Sequence, residues 1–237
     1  MAMFDVIGEA GIRPHGNRGR PDTEYLPNLK GSRAIKTYRE MQDNNSVVGS
    51  SLLLMESTIA QVKWKAREKD NSDRCKEEAV FLDGVFDDML LTFQELISDV
   101  VSFIPFGHSL FEINLKRRSG FSADHTMHSK FDDGRIGLRD LGIRPQETLK
   151  EWLWWPDGTL AGVFQQVTSS TEVKFIPAAK FVLFRTKSNR GNPEGRATLR
   201  PAYRPWYFLK RYEDIEGVSF DRNLQGVPVF YLPNAYL

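Results

Sequence analysis

Apolar positions along the chain follow two periods, and the change between them divides it. Ile35, Tyr38 and Met41 recur at three-residue steps and predict a helix, which Asp43-Asn44-Asn45 breaks. A second helix is expected from about Ser46, carrying Val47, Val48, Leu52, Met55 and Ile59. Gln61 to Arg67 then alternates, with Val62, Trp64 and Ala66 on one side and Lys63, Lys65 and Arg67 on the other, which predicts a half-buried strand. From Asp73, the expected N-cap, Phe81, Leu82, Val85, Phe86, Met89 and Leu90 form the stripe of a long amphipathic helix. Its outer side holds Glu77, Glu78, Asp83, Asp87 and Asp88. Phe93 to Phe103 keeps the helical period and stops at Pro105-Phe106-Gly107.

Beyond that stop the period shortens to two. Ser109 to Lys116 predicts a strand with Phe111, Ile113 and Leu115 inward and Glu112 and Asn114 outward. Residues 119–134 are polar and read as a loop. Strands follow near Ile136–Ile143, Leu149–Trp154, Leu160–Val167, Val173–Ile176 and Phe181–Thr186, with a Pro156-Asp157-Gly158-Thr159 hairpin turn between two of them. Trp64, Phe111 and Trp154, each on an alternating strand, are expected in the interior. Short strands after a helical block make an α+β domain over residues 32–192. Ahead of it, residues 1–31 are rich in Gly, Pro and Arg and read as an extended N-terminal arm.

The last segment returns to the helical period. Asn192-Pro193-Glu194-Gly195 is a turn, and a helix is expected from Thr198 to about residue 224, with Pro201 in its first turn and Pro205 kinking or restarting it. Trp206, Tyr207, Phe208, Leu209, Tyr212, Ile215 and Val218 make an apolar belt too wide for one groove, so neighbouring subunits are the expected cover. Val227 to Leu232 reads as a short strand, and no closing element follows it, which predicts the front part of a longer polypeptide.

Composition narrows the function. The chain has 237 residues, 41% hydrophobic and 27% charged, enough for a buried core. Lys and Arg total 32 against 31 Asp and Glu, so the broad basic excess of a nucleic-acid coat is missing. No apolar run approaches the ~20 residues of a membrane-spanning helix. A single cysteine, Cys75, allows no internal disulfide.

Candidate chemistry is sparse. His125 and His128, with Asp124, Asp132 and Asp133 nearby, lie in a polar loop without a paired-ligand motif, so no metal is expected. Asp83, Asp87 and Asp88 could be nuclease carboxylates, but acidic residues on the outer side of an amphipathic helix are the stronger reading. Gly191 to Gly195 lacks the spacing of a phosphate loop, and the serines and histidines form no triad pattern. No catalytic residue, cofactor site or enzyme activity is expected. One basic concentration stands out: Arg185, Lys187, Arg190, Arg196, Arg200 and Arg204, with Lys210 and Arg211 beyond. It suits either phosphate contact or pairing with acidic residues of a neighbouring copy, the second slightly favoured because a contact repeated between identical copies reuses such pairs.

Residues 29 to 233 resemble the portal proteins of tailed bacteriophages. The match runs through Tyr38-Arg39-Glu40-Met41 with the apolar positions after it, and through Phe106-Gly107-His108-Ser109-Leu110-Phe111-Glu112-Ile113. The most specific part is Ile176-Pro177, Lys180-Phe181, Asn192-Pro193-Glu194-Gly195-Arg196, Leu199-Arg200, Ala202-Tyr203, Trp206 and Lys210, closing on residues 226–233. Ala197, where a serine is common, and Pro205, within an expected helix, depart from the pattern.

The resemblance implies a portal-type α+β wing (32–192), a stem helix (193–225) and the start of a clip (226–237), with the rest of the clip, the second stem helix, the tunnel loop and the crown beyond Leu237. It implies a structural subunit of a ring of about twelve copies at one capsid vertex, closed by a repeated heterologous contact. Double-stranded DNA would pass through its channel during packaging and ejection. Its partners would be the terminase large subunit, head–tail adaptors, and the major capsid and scaffolding proteins, with no membrane. Assembly would take place in the host cytoplasm and the product would sit in the virion. In that ring Trp206, Tyr207, Leu209, Tyr212 and Ile215 would meet neighbouring subunits, and Arg196, Arg200, Arg204, Lys210 and Arg211 would face DNA or the next copy. The alternative is a monomeric nucleic-acid-binding protein using the Arg-rich stretch 185–211.

Overall fold

In the computed structural model, which describes residues 24–167, 171–187, 191–224 and 226, the chain forms two compact units divided between Leu199 and Arg200. The first opens with α1 (Gly31–Asn44) and α2 (Ser46–Ala60). Asn45 separates them, and its Oδ1 caps α2 by accepting from the Val48 N–H at 3.0 Å. Next come α3 (Asp73–Asp87), α4 (Phe93–Val101) and the single turn α5 (Phe103–Phe106). Ser72, not Asp73, caps α3, its hydroxyl accepting from Cys75 N–H at 3.3 Å. Thr92 and Glu95 form a reciprocal capping box on α4.

Two antiparallel three-stranded sheets follow, and with the helices they make an α+β fold. The first, in the order β2-β1-β6, joins β1 (His108–Arg117), β2 (Ile136–Arg144) and β6 (Phe181–Arg185). The second, in the order β3-β4-β5, joins β3 (Leu149–Trp154), β4 (Leu160–Gln166) and β5 (Val173–Pro177). The expected turn links β3 to β4, with Gly158 at φ +83° and Asp157 accepting from Thr159.

β1 is the middle layer because it is buried on both faces. Phe111 packs with Leu96 and Val100 of α4, and Leu110 packs with Leu149, Trp152, Val163 and Ile176 of the second sheet. Helices therefore cover one face of the first sheet and the second sheet covers the other.

Further expectations need correction. Residues 62–67 form no strand: the alternation is present, but none of the described strands pairs with it, and Trp64 is 60% exposed rather than interior. Leu115 is exposed while Lys116 is buried, the reverse of the expected pattern. Lys116 is enclosed by Asp88 and the His128 carbonyl, beside a bulge where Asn114 pairs with Asp140 but Leu115 pairs with Leu138, leaving Arg139 as the extra residue of β2. Trp154 is half-buried beside the core, whereas Phe111 and the neighbouring Trp152 are fully inside. Asp88 is buried, not solvated.

The second unit contains α6 (Tyr203–Leu224). It starts later than Thr198, so Pro205 falls in the first turn, where a missing N–H interrupts no helical bond. The arm up to residue 23 and the Val227–Leu232 strand lie outside the described residues. No described helix is long and apolar enough to cross a membrane.

Candidate functional site

Two separated stretches fold into one junction where β1 begins and β6 ends. Proline and glycine end α5, and Gly107 takes φ +95°, which starts β1 in a new direction. Opposite it, Gly195 takes φ +60° in the Asn192-Pro193-Glu194-Gly195 turn. A Cβ on Gly107 would stand 2.6 Å from the Glu194 carbonyl oxygen, and one on Gly195 would stand 2.4 Å from that of Gly107. Both glycines are needed for conformation and for contact.

Hydrogen bonds hold the junction closed. The Thr186 N–H donates to Gly107 O at 2.9 Å, and the Thr186 hydroxyl donates to Arg196 O at 2.6 Å while accepting from Arg196 N at 2.8 Å. Asn192 Oδ1 accepts from Glu194 N at 2.8 Å. Glu194 Oε1 accepts from the indole Nε1 of buried Trp152 at 3.1 Å. Thr198 N donates to Ile104 O at 3.0 Å, fastening the chain just before it leaves the first unit.

His108 is the titratable group enclosed there. Its ring stands edge-on to Trp152 with centroids 6.0 Å apart, and its carbonyl accepts from Gln146 Nε2 at 2.9 Å. Burial pushes the imidazole below its usual pKa, and the charge and backbone of Glu194 only partly oppose that. Burial thus favours the neutral form of this histidine.

A second polar centre ties loop 118–134 to α3. Lys116 Nζ lies 3.1 Å from Asp88 Oδ2 and donates to His128 O at 2.7 Å. Asp88 also accepts from Ser129 Oγ and Lys130 N, each at 2.7 Å. Beside it the buried Arg118 guanidinium lies 4.0 Å from the Phe131 ring centroid and pairs with Asp133 at 3.1 Å.

The sequence-predicted groups fall as follows. Asp83 is turned to the Ala66 N–H and Asp88 to Lys116, so the acidic trio does not converge. Asp124 Oδ1 accepts from Thr126, and His128 stacks edge-on with Phe121. Among the described residues no three His, Cys, Asp or Glu groups are placed to hold a metal. Arg185 and Arg196 belong to the first unit; Arg200, Arg204, Lys210 and Arg211 belong to the second. Arg190 lies outside the described residues. On α6, Arg204 lies over Phe208, Lys210 over Trp206, and Arg211 over Tyr207, whose hydroxyl accepts from it at 3.2 Å. Leu209, Tyr212 and Ile215 are exposed there, whereas Trp206 and Tyr207 are half-buried. Pattern reading marked both halves of the junction but not their meeting, and it missed Lys116–Asp88 altogether.

Comparison with known proteins gives three findings. No curated protein matches the sequence. Among solved structures, a chain from the neck of an empty GTA particle, computed with C6 symmetry, superposes with TM-score 0.50 at 13% identity, covering 83% of this chain and 48% of that one. The present chain therefore spans about half the length of its structural match, and a likeness at that identity speaks for the fold alone. A family described as the portal protein of Mu bacteriophage matches residues 35–213, from α1 through the junction and into α6. Because that match takes in both halves of the junction and most of the chain, the chain belongs to the Mu bacteriophage portal protein family.

Proposed function

We propose that the chain is the wing and first stem portion of a subunit in a portal ring at a capsid vertex. Membership of a structural family supports a connector role rather than an enzyme. The observation that carries the reading is α6. Leu209, Tyr212, Ile215, Val218 and Phe220 all stay exposed along its 22 residues, which leaves apolar surface for neighbouring subunits to cover. The ring would form the channel for double-stranded DNA and dock the terminase large subunit and head–tail adaptors. Its rim would meet the capsid and scaffolding proteins of a virion assembled in the host cytoplasm.

Near-neutral charge fits a channel through which DNA slides, because dense basic residues would hold phosphates too tightly. Arg196, Arg200, Arg204, Lys210 and Arg211 are the proposed contacts to DNA or to the next copy. Averaged electron micrographs of the full-length protein test the reading, and closed rings are the expected result. A monomer whose DNA affinity falls steeply with salt would replace it with a nucleic-acid-binding function.

A further inference from the structure

Two largely apolar faces lie on opposite outer layers of the first unit. The helical one belongs to α2. Its sequence holds one ionisable residue, Glu56, whose carboxylate accepts a hydrogen bond from the Ser98 hydroxyl of α4. At about 3.6 residues per turn, Val47, Ser51, Leu54 and Thr58 form the stripe opposite Glu56. Val47 is 72% exposed, Leu54 69% and Leu53 63%. Ser50 and Ser51 donate their hydroxyls to Val47 O, Ser57 to Leu53 O and Thr58 to Leu54 O. These donors are satisfied within the helix, so the outward surface is apolar in practice.

The other face is the outside of the sheet β3-β4-β5. Trp152, Val163 and Ile176 point into the core, and the alternate positions point away. Leu153 pairs with Gly162, Phe164 with Phe175, and Gln166 with Val173. Val173, Phe175 and Leu153 are exposed, and the rings of Phe164 and Phe175 sit 5.2 Å apart. Gly162 has no side chain because the Phe175 ring lies over it, 2.6 Å from where a Cβ would be. Glu151, opposite Phe164, is ionisable, and exposed Lys150 stands at the bulge beside it.

Layer order separates the two faces. Leu96 and Val100 of α4 pack on the Phe111 side of β1, and Ser98, which meets α2, lies on the far side of that helix. The second sheet packs on the Leu110 side. The stack therefore runs α2, α4, first sheet, second sheet, with one apolar face at each end. A head-to-tail ring needs this arrangement: two different patches on opposite sides of one chain, each able to cover the other. The α2 stripe has no charge to strand when desolvated, and on the sheet the charges Lys150 and Glu151 lie together on the edge strand β3.

We propose that neighbouring copies meet head to tail through these faces, the outer side of α2 in one copy seated on the outer side of β3-β4-β5 in the next. This contact rests on the ring reading and adds to it a wing interface independent of α6.

Thiol cross-linking in the full-length protein tests the contact. Cys75 is the one cysteine of this chain, so it and any cysteine in the rest of the full-length sequence are replaced by serine to give a silent background. A chain carrying Leu54→Cys and Phe175→Cys is assembled, treated with a short bis-maleimide and denatured. The expected result is a ladder from dimer up to the ring size, with each single-cysteine chain giving none. Val47→Cys with Val173→Cys on the same two faces repeats the test if the first pair fails to fold. Rings visible by electron microscopy without a ladder from either pair overturn this contact and leave the ring reading standing. Absence of rings in the wild type overturns both.

Discussion

Lys116 Nζ and Asp88 Oδ2 lie 3.1 Å apart in a pair almost closed to solvent, joining β1 to the end of α3. Removing one partner would leave a buried charge uncompensated. Lys116→Met is therefore expected to cost about 3–5 kcal/mol in denaturant unfolding. The double variant Lys116→Met with Asp88→Leu should recover much of that loss. An additive double variant would show that the two groups do not interact.

Acid should act through the same carboxylate. Burial pushes the Asp88 carboxyl up, but hydrogen bonds from Lys130, Ser129 and Lys116, with the lysine charge, outweigh it and hold the group below its ordinary range. A folded pKa below the unfolded one gives stability that is present above about pH 4 and lost as pH falls below it. Asp88→Asn should lower stability at pH 7 and flatten its fall between about pH 4 and 2. Equal acid slopes in both proteins would contradict this.

His108 should contribute a second slope at milder pH. Its folded pKa is depressed by burial, so below about pH 6.5 the unfolded chain takes up a proton that the folded chain refuses. Stability should fall from there by at most about 1.4 kcal/mol per pH unit. His108→Gln should remove that component when chemical denaturation is compared at pH 7.5 and 5.5.

Gly107 and Gly195 should respond to alanine more strongly than a glycine in open turn space. Gly158 also has positive φ, at +83°, but a Cβ there meets nothing within 4 Å. Gly158→Ala should therefore cost only the conformational term, about 1 kcal/mol. Gly107→Ala and Gly195→Ala add overlap with backbone oxygen and should each exceed it, by urea midpoint. Equal costs at all three sites would mean that the junction relaxes freely.

Trp152→Ala should cost about 3–5 kcal/mol, because it empties a core site and leaves Glu194 without its indole donor. Trp64→Ala should change stability by no more than about 0.5 kcal/mol. Acrylamide quenching should reach Trp64 far more readily than Trp152.

These two tryptophans mark where a single sequence is legible. The strands from Ile136 to Arg185 were readable because alternation and Gly/Pro punctuation are local properties. The same alternation around Trp64 misled, because a strand also requires a partner edge. The Leu115/Lys116 inversion was hidden for a related reason: Asp88 at the end of α3 and the His128 carbonyl, which enclose Lys116, are not part of its own strand. Both glycine turns of the junction could be marked, yet their packing belongs to the three-dimensional arrangement. Buried Lys116 and Asp88 read as surface charges because charged residues are seldom buried without a partner, and the partner is distant in sequence.

The terminal helix supplies the prediction most closely tied to assembly. Tyr212 is 67% exposed and Ile215 62%, so substitution there should leave the subunit folded. In a ring, aromatic anchors of this kind commonly cost about 2 kcal/mol or more when truncated. The loss would recur at every contact around the circle and should appear as failed closure rather than misfolding. Tyr212→Asp and Trp206→Ala in the full-length protein, followed by sedimentation and circular dichroism, make the comparison. Trp206 is half-buried against its own helix, where Lys210 lies 5.5 Å from the ring centroid, so its truncation should also lower helix stability slightly. Folded subunits that no longer close are the expected product of both. Intact rings from both would remove α6 from the subunit contact and leave the wing faces to carry it. Loss of the circular dichroism signal with Tyr212→Asp would instead place that ring in the subunit's own interior, against the exposure seen along α6.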